Sequence, residues 1–166
     1  MRVRARRVRV MAGGVIGVLV LGAIAAIAQT DPLVGTWILN VSKSTYPSGR
    51  APASQSVTFE RVGDMTHMIS VVTGADGKTI RREYAAKNDG KDYPFPGSTA
   101  ADTIALRQVD ATTFERVDKK GGKVVSVLTR KMSADGKSFA VTTKDANGRE
   151  NGTVAVYELK PGSRKP

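Results

Sequence analysis

The sequence has no cysteine, which excludes a disulfide framework, thiol chemistry, cysteine-based zinc sites and a lipid-modified cysteine at a mature N-terminus. Histidine occurs once, as His67, so most histidine-based metal sites are excluded and a Ser-His-Asp triad would depend on that one residue. Aromatic residues make up 5% of the 166 positions, and the single tryptophan is Trp37. The sequence contains no G-x-S-x-G, no H-E-x-x-H, no Walker loop and no G-x-G-x-x-G. The acids mostly occupy turns or outward strand positions, and none form an evident glycosidase pair. No cofactor or metal is therefore expected.

Charge is abundant but unevenly spread. Lysine and arginine number 26 against 15 acids, a net +11. Residues 1–28 hold Arg2, Arg4, Arg6, Arg7 and Arg9 and no acid, so the remaining 138 residues carry 21 basic and 15 acidic side chains, only +6. Basic residues there alternate with acids instead of forming a stripe with aromatics, so no nucleic-acid partner is expected.

The N-terminal segment has a basic start followed by 19 uncharged residues, Val10 to Ala28, ending in Ala26-Ile27-Ala28. Small residues at those two alanine positions are what a signal peptidase inspects, which predicts an export signal cut before Gln29. A retained anchor is the alternative, since 19 residues at about 1.5 Å rise come near the thickness of a bilayer core. Either way the arginines stay cytoplasmic and the domain lies beyond the membrane, periplasmic or secreted in the first case and anchored to the inner membrane in the second. Membrane contact is expected only through residues 10–28, if uncleaved.

After Thr30 no helical pattern appears. Short runs rich in Val, Thr, Ile, Phe and Tyr predict strands near 35–41, 55–62, 65–73, 79–87, 103–109, 112–119, 122–132, 138–145 and 152–159. The turns repeat: Asp76-Gly77-Lys78, Asp89-Gly90-Lys91 and Asp135-Gly136-Lys137, with Asn147-Gly148-Arg149 and Gly121-Gly122-Lys123. Asp-Gly and Asn-Gly suit tight hairpins because both accept positive φ. Consecutive hairpins give an antiparallel meander, and closing it removes the open edges, so an all-β, up-and-down barrel of about 8–10 strands over residues 29–160 is expected, with a β-sandwich as the alternative. Val41 to Ser54, broken by Pro47 and Pro52, reads as a loop across one mouth or edge. Tyr93-Pro94-Phe95-Pro96-Gly97 cannot be a central strand, because proline has no donor for the ladder. Residues 161–166 read as a disordered, solvated basic tail.

Alternation assigns faces. Val57 and Phe59 share one, as do Ile104 with Leu106 and Phe139 with Val141. On 65–73 the expected inward set is Met65, His67, Ile69 and Val71, and on 79–87 it is Ile80, Arg82, Tyr84 and Ala86. Strands 112–119 and 122–132 do not separate cleanly. His67 then reads as a hydrogen-bonded inward histidine or one near a mouth, with a ligand or proton-transfer role as the alternative. Arg82 cannot lose its charge and must find a carboxylate, a ring or water, so it is either half of an internal ion pair or, with Tyr84, the polar handle for a ligand.

The stretch Asp31-Pro32-Leu33-Val34-Gly35-Thr36-Trp37 resembles the opening of the lipocalin and calycin barrels, where a G-x-W lies on the first strand. The resemblance implies that Trp37 plugs the closed end, stacked with an arginine from a late strand, for which Arg130 is the candidate. The chain from Gly35-Thr36-Trp37 through the Asp-Gly-Lys turns is also similar to uncharacterised secreted bacterial proteins. The preferred expectation is a non-enzymatic exported barrel that binds a small apolar or amphiphilic ligand in its lumen through Arg82, Tyr84 and His67. A filled barrel serving as a cell-envelope structural or interaction protein is the alternative, and an enzyme using the barrel as a pocket is the third.

Overall fold

The structure is a computed structural model that describes residues 31–164. The signal or anchor expected over residues 1–28 lies outside the described residues. Ten antiparallel strands follow one another: β1 (Gly35–Leu39), β2 (Ser54–Val62), β3 (Met65–Thr73), β4 (Thr79–Ala86), β5 (Asp92–Pro94), β6 (Thr103–Gln108), β7 (Thr113–Lys120), β8 (Lys123–Met132), β9 (Ser138–Asp145) and β10 (Glu150–Leu159). They form one sheet in the order β4-β3-β2-β1-β10-β9-β8-β7-β6-β5, in which β1 pairs with β10 and every other ladder joins sequence neighbours. Only β4 and β5 lack a ladder, so the barrel is nearly closed, and a single continuous sheet replaces the sandwich alternative.

The repeated turns work as their sequences suggest. In each Asp-Gly-Lys turn the aspartate Oδ1 accepts the backbone N–H two residues on: Lys78 on Asp76, Lys91 on Asp89 and Lys137 on Asp135, at 3.0–3.1 Å. The local carboxylate thereby fixes the turn in the manner of an Asx-turn.

Residues 40–53 form the expected loop, with one 3-10 turn at Val41–Lys43. Thr45 and Val154 exchange backbone hydrogen bonds at 2.8 and 3.0 Å, where the β9–β10 register shifts. Gly152, at φ +74°, lets Pro47 approach within 3.0 Å of where a β-carbon would stand.

β5 is the strand the sequence reading missed. Phe95 N–H donates to Asp102 O, so alternation turns Tyr93 and Phe95 toward β6 and points the nitrogen of Pro94 away from it. A proline is tolerated there because that side carries no ladder. For the same reason, β5 has no donor at Pro94 to offer β4.

Trp37 is fully buried, donates from Nε1 to Leu33 O at 2.8 Å and packs on Phe139 with ring centroids 4.7 Å apart. The arginine that covers it is Arg164, not Arg130. Arg164 lies 5.6 Å over the Trp37 ring and donates to Pro32 O, Val34 O and Gly136 O. Pro161–Arg164, expected to be solvated, thus folds under the base, where Ser163 Oγ accepts the Thr36 N–H. Gly35 makes this approach feasible: its φ is +132°, and a β-carbon there would sit 2.9 Å from Leu159, 3.2 Å from Arg164 and 3.3 Å from Ser163. Arg130 faces the lumen instead, because it pairs in register with Phe114 and Val141 along the inner wall.

The face assigned to β3 is reversed. Thr66, Met68 and Ser70 are buried, whereas Met65, His67 and Ile69 are only half-buried. The ladders set Phe59 opposite Met68 and Met68 opposite Tyr84, so Met68 shares the inward face with both rings. β4 is as expected at Arg82, Tyr84 and Ala86, although Ile80 is exposed.

Replacing Arg164 with alanine removes three carbonyl hydrogen bonds and the ring contact at once. We expect a loss of about 1 kcal/mol in unfolding free energy, read as a lower urea midpoint; a solvated tail would leave the midpoint unchanged.

Candidate functional site

The lumen contains a cavity of about 220 Å³ whose walls combine Val57, Met68, Phe139 and Leu128 with an unusual polar set. Three guanidinium groups reach it, Arg82 from β4, Arg116 from β7 and Arg130 from β8, against one carboxylate, Asp118. Alternation explains the grouping. On β7 the inward positions are Phe114, Arg116 and Asp118, and their partners on β8 include Leu128 opposite Arg116 and Arg130 opposite Phe114.

The three arginines have different surroundings. Arg116 is held in a fork, Nε to Asp118 Oδ1 at 2.7 Å and Nη2 to Asp118 Oδ2 at 2.9 Å, and Ser126 Oγ donates to the same carboxylate at 3.3 Å. Its guanidinium also lies 5.2 Å from the Phe95 ring centroid and 5.8 Å from that of Tyr84. These two rings meet edge to face at 5.6 Å, across the β4–β5 seam. Desolvation alone would lower the Arg116 pKa, but Tyr84 and Asp118 outweigh it and hold the group above its ordinary value.

Arg130 is 6% exposed and stacks 5.3 Å over Phe59, but among the described residues it has no hydrogen bond to a side chain and no ion pair. Burial pulls its pKa below the ordinary arginine value, and the like charge of Arg116 adds to the effect. Arg82 is half-buried, and its Nε is enclosed without a hydrogen-bond partner, as is the Tyr84 hydroxyl. Such groups cost stability, because the lost hydration is not replaced.

A neutral relay completes the wall. Tyr157 O–H donates to Gln55 Oε1 at 2.8 Å, and Gln55 Nε2 donates to Ser70 Oγ at 3.0 Å. Ser70 accepts from Gln55, so its own proton remains to be donated, and Ser70 stands directly opposite Arg82 in the ladder. Burial pushes the Tyr157 hydroxyl far above its ordinary pKa, which keeps it a neutral donor.

Of the residues singled out from the sequence, Arg82 lines the cavity and Tyr84 lies beside it on the same inner face, while Trp37 is fully buried between Phe139 and Arg164. His67 does not join them: it sits on the outer wall with Nε2 3.7 Å from Glu83 Oε2, the atom that Arg81 also engages at 2.6 Å. The reversed register of β3 accounts for that correction. Sequence reasoning missed Arg116, Asp118, Gln55, Ser70 and Tyr157 as lumen residues. Arg116 and Asp118 were legible as the i+2 and i+4 partners of Phe114 on one face.

Among the described residues, the one carboxylate lining this cavity, Asp118, is engaged by Arg116, and His67, the sole imidazole of the sequence, lies on the outer wall. A second, larger groove of about 1010 Å³ lies open to solvent beside Asp31, Arg61 and Lys160.

No protein-family model matches the chain, and no curated protein matches it. Among solved structures, a Schistosoma mansoni fatty acid binding protein in complex with arachidonic acid is similar, with a TM-score of 0.52 and 13% identity over 78% of this chain and 96% of that one. At that identity the likeness is one of fold. The expected barrel architecture thus has a counterpart among solved structures, and the likeness to secreted bacterial proteins has no matching family model behind it.

Because Arg130 is buried with no ion pair among the described residues, replacing it with methionine is expected to raise the unfolding free energy, by on the order of 1 kcal/mol. Chemical denaturation measures this. A loss of several kcal/mol would instead mark Arg130 as half of a satisfied structural pair.

Proposed function

We propose that this chain is a non-enzymatic binding barrel that holds one small, partly apolar molecule in its lumen. The polar end of the ligand meets Arg82 and Arg130, and its apolar part lies against Val57, Met68 and Phe139. The observation that carries this reading is a pair of guanidinium groups inside the barrel, neither ion-paired among the described residues. A filled structural barrel would be expected to pair or omit such charges, which counts against the envelope-structural alternative. The fold match to a fatty acid binding protein supports the lumen as the place of binding.

Size narrows the ligand. A cavity of about 220 Å³ is below the roughly 300–1,000 Å³ of ordinary small-molecule pockets, which favours a compact ligand over a long chain. The basic start and uncharged run of residues 1–28 support export, with the barrel periplasmic, secreted or anchored outside the inner membrane.

Native mass spectrometry of the protein purified from its host tests both parts. The expected spectrum shows a chain beginning at Gln29 with a bound small molecule that is lost in Arg82→Ala. A bare mass for the wild-type protein, together with no thermal shift on adding small organic anions, would contradict the binding reading; a chain still beginning at Met1 would contradict cleavage.

A further inference from the structure

Resting on that lumen reading, we infer that the ligand carries a compact head group with two negative charges, of the phosphomonoester class, rather than a single carboxylate. Charge balance within the cavity favours two negative charges. Asp118 neutralises Arg116 through two short hydrogen bonds, which leaves the guanidinium groups of Arg82 and Arg130 on the walls of a cavity whose one lining carboxylate is already engaged. A monoanion would cancel one of these charges and leave the other without a countercharge in the same cavity, whereas a dianion cancels both.

Donor capacity points the same way. Arg130 makes no side-chain hydrogen bond among the described residues, Arg82 adds a buried unpartnered Nε–H, and Ser70, already accepting from Gln55, has its hydroxyl proton to give. These donors sit on β8, β4 and β3, so they approach from different parts of the wall and suit a head with three terminal oxygens better than a planar carboxylate. The apolar remainder of the cavity leaves room for a small hydrocarbon substituent such as one ring.

Two probes of nearly the same shape isolate the charge: phenyl phosphate, doubly charged at pH 8 because its second pKa is about 6, and phenyl sulfate, which carries one charge. Calorimetric titration of the protein purified from its host should give phenyl phosphate at least about tenfold tighter binding than phenyl sulfate. Lowering the pH from 8 to 5 should remove most of that advantage. Phenyl sulfate controls for any change in Asp118, Tyr84 and Tyr157, the titratable groups on the lumen walls. Arg82→Gln and Arg130→Met should each abolish phenyl phosphate binding while the circular dichroism spectrum and melting cooperativity are retained.

Equal affinity for the two probes, or binding of decanoate in preference to both, would overturn the dianion assignment and leave the lumen reading standing. Phenyl phosphate binding that survives both substitutions would overturn it too, by placing the anion elsewhere. Failure of phenyl phosphate, phenyl sulfate, decanoate and neutral benzyl alcohol alike would remove the lumen reading itself.

Discussion

Between β4 and β5 no backbone ladder holds the sheet together, and the barrel is shut there by side chains gathered around Arg116. Its guanidinium is locked by the Asp118 fork and faces both Phe95, which follows β5, and Tyr84, which belongs to β4. One cation therefore bridges the two edges of an otherwise open sheet. The edge-to-face contact of the two rings adds a direct apolar link. A ladder could not easily replace this arrangement, since β5 is three residues long and turns the nitrogen of Pro94 toward the seam.

The same pairing decides what remains free in the lumen. Asp118 positions Arg116, and neither Arg82 nor Arg130 forms an ion pair among the described residues. The interior thus combines one satisfied ion pair, which orients the seam, with two unsatisfied cations, which cost stability and suit an anion. Local violations of this kind, in an otherwise well-satisfied fold, are expected at functional sites. The relay from Tyr157 through Gln55 to Ser70 supports the same end by leaving a hydroxyl donor beside Arg82.

Much of this was legible in the sequence, for identifiable reasons. Asp-Gly-Lys turns carry their own hydrogen bonds, so they marked hairpins without help from distant contacts, and the meander and barrel followed. β5 was hidden because two prolines within three residues speak against a strand unless its outer edge is known to be free. The face of β3 was misread because Met65, Ile69 and Val71 look as apolar as Met68 and Val72. The two-residue connection Gly63-Asp64 held the missing information, since it sets Phe59 opposite Met68 and so turns His67 outward. The Trp37 partner was missed for another reason: Arg164 reaches the base only after the chain turns back beneath Gly35, a long-range packing event with no local signature.

Hydrogen exchange on the native protein, compared with Asp118→Ala, tests the seam most directly. Once Asp118 is removed, the fork that aims Arg116 at Tyr84 and Phe95 is gone. The account predicts that amides of β4 and of residues 93–102 lose protection first, while those of β1 and β10 keep it. Unchanged protection along β4, or an equal loss around the whole barrel, would contradict the claim that this side-chain cluster holds the barrel shut.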